Sequence, residues 1–141
     1  FLSVQDTKAA TDWLDMLEQD LIDYIDSETQ KEYYPIIMKA KNSIDKYYHT
    51  KITLSSLAAE IHLDPSYLSA LMKKYLGLNY SEYLVQVRME NAKERLIHSR
   101  DKISTIAESV GYPDQFHFNK VFKRVNGITP GEYRKRFSNL S

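Results

Sequence analysis

The residues with the clearest chemical potential lie near the end of the chain, on a segment whose apolar residues repeat at helical spacing. A pattern of i, i+3, i+4 and i+7 predicts one buried stripe, formed by Phe118, Val121, Phe122 and Val125. The opposite face then points outward and consists of Gln115, Phe116, Asn119, Lys120 and Lys123. Amide and ammonium groups along one exposed helix face are suited to hydrogen bonding with base edges in a DNA groove.

The side chains of this outward face differ in what they can recognise. The Gln115 amide can pair with adenine through two hydrogen bonds, and the Lys120 ammonium can donate to guanine. Asn119 can read adenine or contact a phosphate, so both roles stay open. Phe116 is an unusual exposed aromatic residue, whose ring can lie against a thymine methyl group or against a neighbouring loop. All four are candidate base-contacting residues.

The same arrangement occurs a second time, earlier in the chain. The offset is 49 for Leu57-Ala58 against Ile106-Ala107, and one extra residue in the second turn makes it 50 from there on. A repeated helix, turn and helix predicts two helix-turn-helix units, which we name the first unit and the second unit. The pairs matched at the offset of 50 are Leu68 with Phe118, Leu71 with Val121, Met72 with Phe122, Lys73-Lys74 with Lys123-Arg124, Gly77 with Gly127 and Glu82-Tyr83 with Glu132-Tyr133.

The first unit presents a plainer outward face than the second. Its predicted buried stripe consists of Leu68, Leu71, Met72 and Tyr75, and its outward face of Pro65, Ser66, Ser69, Ala70 and Lys73. Ser66, Ser69 and Ala70 are its candidate base-contacting residues. Two hydroxyls and one methyl group predict weaker discrimination between bases than the second unit offers.

Four basic residues lie one to two turns further along the two helices, namely Lys73, Lys74, Lys123 and Arg124. We predict that they contact phosphates, because side chains at that place meet the DNA backbone rather than base edges. Phosphate contacts position a protein on DNA without specifying the sequence. For any single lysine of the set, a solvated surface charge is the alternative.

Helix start signals divide the chain into the elements that must position these faces. Thr53 and Asp64-Pro65 are placed to begin the two helices of the first unit. Asn79 and Glu82 resemble a capping box that opens a long linker helix. The prediction is an all-α fold with an acidic N-terminal helix in residues 1–35 and a domain in residues 36–141, in which units at about 53–77 and 102–127 are joined by a linker helix at about 80–99.

The second unit has weaker start signals than the first. Lys102 stands at the position that matches Thr53 and is a poor N-cap, for which Asp101 or Ser104 would have to compensate. Thr129 and Glu132 predict a full capping box for the terminal helix. The basic residues of that last helix, Arg134, Lys135 and Arg136, are expected to be solvated.

Residues 1–35 are strongly acidic. They hold nine acidic and two basic residues, a balance of −7, whereas the remaining chain holds 17 basic and 10 acidic residues, a balance of +7. Alternating spacings of four and three give the seam of a short coiled coil, formed by Ala10, Leu14, Leu17, Leu21 and Tyr24. Four roles stay open for this helix, namely packing on its own domain, forming the tail of an upstream domain, joining two chains and covering the basic surface. A new helix is expected to begin near Tyr34-Pro35.

Composition excludes several classes of function. The chain has no cysteine, which removes disulfides, thiolate metal sites and cysteine nucleophiles. The histidines lack metal-ligand spacing, and no catalytic motif or glycine-rich phosphate loop stands out. We therefore expect no cofactor and no enzymatic activity. No apolar run approaches roughly 20 residues and no signal-peptide pattern opens the chain, which predicts a soluble, cytoplasmic protein with no membrane partner.

Residues 106–134 carry a dense run of positions that resembles the AraC/XylS family of bacterial transcription regulators. The run includes Ile106-Ala107-Glu108-Ser109-Val110-Gly111-Tyr112, His117-Phe118-Asn119-Lys120 and Gly127-Ile128-Thr129-Pro130. The resemblance covers essentially all of residues 36–141. It implies sequence-specific binding to double-stranded promoter DNA through the outward positions, with RNA polymerase as a further partner.

Within that family, the sequence of the first unit and linker is similar to the sequences of the output domains of two-component response regulators. The residues that carry this similarity are Ser66-Tyr67-Leu68-Ser69, Glu82-Tyr83-Leu84, Arg88 and Ala92-Lys93-Glu94. It implies a phosphorylatable receiver upstream of Phe1, in agreement with a chain that begins without methionine. The competing class is a helical protein-interaction module that does not bind DNA, and the basic outward faces argue against it.

The length of the linker helix bears on how the two units would meet DNA. About 18 residues at 1.5 Å each span about 27 Å. One turn of DNA repeats at roughly 34 Å, a distance that the linker approaches once the flanking units are added. We therefore expect the two outward faces to address successive major-groove segments on one side of the duplex.

Overall fold

A computed structural model describes residues 4–138 of the chain, and helices occupy most of that range. No strand occurs among these residues, which confirms the predicted all-α class. The helices are α1 (Val4–Tyr47), α2 (Leu54–Ile61), α3 (Pro65–Leu76), α4 (Tyr80–His98), α5 (Ile103–Ser109), α6 (Gln115–Asn126) and α7 (Pro130–Phe137). Helices α2 and α3 form the first unit, α5 and α6 the second, and α4 is the linker helix. None of the helices described is long and apolar enough to cross a membrane.

The chain divides into two compact parts, an N-terminal segment of Phe1–Ile36 and a body of Ile37–Ser141. The expectation that a new helix begins near Tyr34-Pro35 was wrong, because Pro35 lies inside α1. Helix starts favour a short side-chain oxygen just before the first turn, and Tyr34 does not supply one. A proline within a helix removes one backbone donor and costs about 3 kcal/mol, and here the helix continues through it.

Short polar side chains begin the helices of the first unit and the linker, as predicted. The Thr53 hydroxyl accepts a hydrogen bond from the Ser56 N–H at 3.1 Å, and the Asp64 carboxylate accepts one from the Tyr67 N–H at 3.2 Å. Asn79 accepts from the N–H of Glu82 at 2.9 Å, and the Glu82 carboxylate accepts from the N–H of Asn79 at 3.3 Å. These bonds satisfy backbone donors that a helix start leaves unpaired.

The second unit and the terminal helix begin with fewer hydrogen bonds. Lys102 gives α5 no side-chain cap, and neither Asp101 nor Ser104 compensates. At α7, the Thr129 hydroxyl accepts from the N–H of Glu132 at 3.2 Å, which is one of the two bonds that a full capping box would have. The expectation that Arg134 is solvated was wrong, since it is half-buried and its Nε donates to the Leu96 carbonyl at 3.1 Å.

The linker helix contributes buried side chains along its whole length. Tyr83 and Leu84 are buried in its first half. The buried residues of the helices before it are Ile37, Ala40, Ile44, Leu57, Ala58, Leu68, Leu71 and Met72. In its second half, α4 supplies part of a cluster made of Met89, Ala92, Leu96, Ile106, Ala107, Val110, Tyr112, Phe118, Val121 and Phe122. The linker therefore holds the two units in one body.

Candidate nucleic-acid interface

Helix α6 exposes one face because the opposite face is buried. Phe118 and Phe122 are fully buried and Val121 is 5% exposed. The Asp114 carboxylate caps the helix by accepting from the N–H of Phe116 at 2.9 Å, so the first turn begins sharply at the exposed end. The inclusion of Val125 in the buried stripe was wrong, because this residue is 47% exposed. Val125 lies in the last turn of α6, beside an open groove that Val85 and Met89 also line.

The candidate residues of α6 differ in how far they reach solvent. Phe116 is 79% exposed, and Lys120 is exposed as well. Gln115 and Asn119 are half-buried. The Asn119 Oδ1 atom is buried without a hydrogen-bond partner. Lys123 and Arg124 are exposed one to two turns further along the helix.

Helix α3 presents the matching face of the first unit. Ser66 and Ala70 are exposed and Ser69 is half-buried. Two basic residues, Lys73 and Lys74, are exposed in the last turn. The two candidate faces therefore combine a small-residue surface on α3 with a larger, more basic surface on α6.

One of the candidate phosphate-contacting residues already has a partner in the protein. The Lys73 ammonium lies 3.3 Å from a Glu82 carboxylate oxygen, with both side chains about half exposed. Among the residues that the structure describes, no such ion pair joins Lys123 to Glu132, although these residues match Lys73 and Glu82 at the offset of 50. An exposed ion pair contributes at most about 1 kcal/mol, so Lys73 can exchange Glu82 for a phosphate.

The turns within the two units use different residues to reverse the chain. In the first unit, His62 adopts the left-handed conformation with φ of 63°. In the second unit, Gly111 has φ of 107°, a value that side chains rarely allow. A Cβ atom on Gly111 would also lie 2.9 Å from the Nε atom of Arg88. The turn of the second unit thus fits against the linker helix as well as bending the chain.

Arg88 lies at the centre of the body and was given no structural role by the sequence patterns. Its Nε donates to the carbonyl of Tyr48 at 2.8 Å, and its Nη2 donates to the carbonyl of Thr50 at 3.0 Å. On the other side, the guanidinium carbon lies 5.1 Å from the centroid of the Tyr112 ring. No spacing rule in the sequence connects Arg88 with Tyr48, Thr50 or Tyr112.

A buried hydroxyl ties the linker helix to α1. The Tyr83 hydroxyl donates to the Asp45 carboxylate at 2.7 Å. Burial raises the pKa of Tyr83 far above its ordinary value, and the hydrogen bond to Asp45 and the charge of Asp45 raise it further. Burial also raises the pKa of Tyr80, against the opposing charge of Arg88. Both phenols therefore stay protonated in the folded protein throughout the neutral range.

Comparison with known proteins identifies this pair of units. A family described as a helix-turn-helix domain matches residues 57–136, which is more than half of the chain. The chain belongs to the AraC/XylS family. This AraC-type chain is the DNA-binding part of a transcription regulator, and the competing interpretation as a protein-interaction module is not supported.

One curated relative matches nearly the whole chain. It is YisR, an HTH-type transcriptional regulator of Bacillus subtilis (strain 168), which is 33% identical over 142 residues. The match covers 96% of this AraC-type chain and 50% of the relative. The chain therefore spans about half the length of that regulator.

Two solved structures share both the fold and a good part of the sequence. The C-terminal domain of AraT, a response regulator from Geobacillus stearothermophilus, is 35% identical with a TM-score of 0.72, and the match covers 76% of this chain and 91% of that domain. The C-terminal domain of the two-component response regulator yesN from Fusobacterium nucleatum is 38% identical with a TM-score of 0.67, covering 73% of this chain and 98% of that domain.

Proposed function

We propose that α3 and α6 enter successive major-groove segments of promoter DNA and that their outward residues recognise the site. The observation that carries the proposal is the repeat itself, since the outward positions of the two helices correspond one by one at an offset of 50. In this proposal α6 reads bases through Gln115, Phe116, Asn119 and Lys120, and α3 through Ser66, Ser69 and Ala70. The second unit supplies most of the specificity, because amides and amines distinguish bases better than hydroxyls and methyl groups.

The exposed basic residues support a second part of the same proposal. Lys73, Lys74, Lys123 and Arg124 would contact phosphates at the edges of the two groove segments. Each such contact releases bound cations, so removing a basic residue such as Lys123 should lower the magnitude of the salt slope of binding by about 1. The contacts would hold both helices in register without selecting a sequence.

Site selection from a random-sequence duplex library, followed by binding titrations, tests this function. The selected duplex is titrated intact, with the left half replaced and with the right half replaced. We expect each replacement to weaken binding, and the half read by α6 to matter more. Gln115→Ala should cost about 1 to 3 kcal/mol on the selected duplex and relax the preference at one base pair, with little effect on random DNA.

Two outcomes would contradict this assignment. If Gln115→Ala weakened binding equally on selected and random duplexes, Gln115 would not read a base. If replacing one half of the site had no effect, only one unit would enter the DNA. A matched control is Gln86→Ala, which removes an exposed amide from α4 and should leave the binding of both duplexes unchanged.

We also propose that this chain is the output portion of a longer cytoplasmic regulator. The response regulators to which it is similar carry the matching domain at their C-terminal ends, and the chain spans about half of YisR. In this proposal a receiver precedes the N-terminal segment, and RNA polymerase is the partner at the promoter. Sequencing the full gene tests the first part, and in vitro transcription from a promoter with the selected site tests the second.

The N-terminal segment supports a further proposal, that two chains pair through it. Leu14, Leu17, Leu21 and Tyr24 are 46% to 64% exposed and lie at the a and d positions of a coiled coil. In a parallel pair, Glu18 would face Trp13 of the second chain, and Asp20 would face Ile25. The acidic charge of the segment therefore does not bring like charges together across the seam.

Sedimentation of the full chain and of a chain lacking residues 1–30 tests this pairing. We expect the full chain to dimerise, the truncated chain to be monomeric and Leu17→Asp to weaken the dimer. Met16→Asp is the matched control, since Met16 is exposed but lies off the seam. If truncation left the oligomeric state unchanged and tightened DNA binding, the segment would instead cover the basic surface. If neither property changed, the segment would be only a linker.

A further inference from the structure

We propose that Arg88 is a positioning residue that fixes the distance between the two recognition helices and so makes the protein sensitive to the spacing of its two half-sites. The inference rests on the proposed function, in which α3 and α6 bind one duplex together. Its basis is a junction of Tyr48, Thr50, Arg88, Gly111 and Tyr112, which we name the Arg88 junction.

On the side of the first unit, Arg88 binds the segment that connects α1 to α2. The carbonyls of Tyr48 and Thr50 each accept one hydrogen bond, at 2.8 Å and 3.0 Å. The Thr50 N–H in turn donates to the carbonyl of Tyr47 at 3.0 Å, which holds this segment in a turn. Thr50 stands three residues before Thr53, the N-cap of α2. The guanidinium thereby anchors the start of the first unit to the middle of α4.

On the side of the second unit, the same guanidinium contacts the turn between α5 and α6. The missing side chain of Gly111 leaves the space that the guanidinium fills. The Tyr112 ring lies 5.1 Å from the guanidinium carbon and meets α6 through the rings of His117 and Phe118, at centroid distances of 5.4 Å and 5.8 Å. A continuous chain of contacts therefore runs from the start of α2 to the first turns of α6.

A second link strengthens the connection at the same place. The Tyr48 ring packs against the buried cluster that α4 and the second unit form together, while the Tyr48 carbonyl accepts the bond from Arg88. The segment before α2 thus contacts this shared cluster as well as Arg88. Such a junction resists changes in the distance between α3 and α6.

The chemistry of the junction requires arginine. A planar guanidinium can donate to two carbonyls and stack on an aromatic ring at once, whereas the ammonium of lysine is a point charge on a flexible stem. Arg88→Lys keeps the charge and most of the aliphatic stem but loses the two-pronged donor and the stacking. This variant best separates the effect of Arg88 on the position of the two units from its effect on the folding of the chain.

The first test measures the junction without DNA. The chain has no cysteine, so Ala70→Cys on α3 and Lys120→Cys on α6 introduce two unique sites for spin labels. We expect a narrow distribution of label distances in the chain that keeps Arg88 and a broader one with Arg88→Lys. Arg95→Lys is the control, because Arg95 is exposed on the same helix. An unchanged distribution with Arg88→Lys would overturn the inference.

The second test measures spacing with the duplex obtained by selection, in its original form and with one or two base pairs inserted between the half-sites. With Arg88 present, insertion should lower affinity by about 100-fold, because the second half-site no longer binds within the same complex. With Arg88→Lys the loss should shrink to about tenfold or less, while affinity for a single half-site stays within about threefold.

The outcomes keep the two proposals apart. An equal spacing penalty in both proteins would overturn the role of Arg88 and leave the proposed function intact. No penalty in the protein with Arg88 would overturn the use of two groove segments, while the spin-label distances would still report on the junction. Circular dichroism shows whether each variant folds, and if Arg88→Lys lost its helical signal, Arg88 would be a folding residue and the inference would fail.

Discussion

The first unit begins with a network of hydrogen bonds, whereas the second begins without a side-chain cap. Thr53 and Ser56 cap α2 reciprocally, and Lys102 gives α5 nothing comparable. The opposite holds on the recognition helices, where α3 offers small side chains and α6 offers Gln115, Phe116 and Lys120. The better-capped unit therefore has the plainer exposed surface, whereas the unit without a cap at its first helix carries most of the side chains that we propose to read bases.

The turns of the two units also differ, in how far each depends on residues outside its unit. His62 can bend the first turn because the left-handed conformation near φ of 63° is open to residues other than glycine. The second turn needs a glycine for two reasons, namely its φ of 107° and the space that Arg88 fills. The turn of the second unit thus depends on a contact with the linker helix, outside the unit itself.

Gly111→Ala should have the largest effect on stability and tests whether the two turns differ in their need for glycine. A side chain at this φ costs at the upper end of about 1 to 3 kcal/mol, and it also displaces the guanidinium of Arg88. His62→Gly is the matched variant and should change the free energy of unfolding by less than about 1 kcal/mol. Urea denaturation measures both. Similar costs at the two positions would show that Arg88 does not constrain the turn.

Lys120→Ala tests the difference between the outward faces of α6 and α3. It gives α6 the residue that α3 has at the matching position, Ala70. We expect a loss of about 1 to 3 kcal/mol on the selected duplex and a relaxed preference at one base pair. Ala70→Ser, a conservative change on α3, should alter binding far less. Titrations against a panel of single-base variants measure the effect, and a uniform loss on all of them would assign Lys120 to a phosphate.

Exchange of the N-caps tests the difference in how the units begin. Thr53→Ala should destabilise the body by about 1 kcal/mol, because it removes a cap that α2 uses. Lys102→Thr should stabilise it by up to a similar amount, since it gives α5 the cap that it lacks. Thermal denaturation measures both changes. A destabilising Lys102→Thr would indicate that the lysine has a packing role that outweighs the cap.

The smallest expected effect concerns the matched phosphate contacts. Lys123→Ala should lower the magnitude of the salt slope by about 1 on every duplex. Lys73→Ala should lower it by less, because binding of Lys73 to a phosphate must displace Glu82 at 3.3 Å. Glu82→Gln, which removes that competitor, should bring the contribution of Lys73 up to that of Lys123. If all three variants kept the salt slope of the unaltered protein, these lysines would be only solvated.

Local patterns predicted much of this fold because they act over a few residues. The caps at Thr53 and Asp64 follow from one side-chain oxygen and one backbone N–H close in sequence. The buried stripe of Phe118 and Phe122 follows from helical spacing alone. Val125 shows where this reasoning stops, because a stripe continues in sequence after the packing partner of the helix has ended.

The remaining features depend on residues far apart in the chain. Arg88 contacts Tyr48 and Thr50 about forty positions earlier, and no spacing rule connects them. The ion pair of Lys73 with Glu82 joins two helices whose relative placement the sequence does not state. The candidate base-contacting residues stay predictions, since exposure permits a contact with DNA but does not establish one.

The single tryptophan of the chain, Trp13, lies in the N-terminal segment and is 61% exposed. Its indole is therefore a natural fluorescent reporter of that segment alone, with no second indole to mix into the signal. Emission should shift to shorter wavelength when another chain covers the seam, and for the proposed pair that shift should grow with protein concentration. A concentration-dependent shift would thus report assembly without any label.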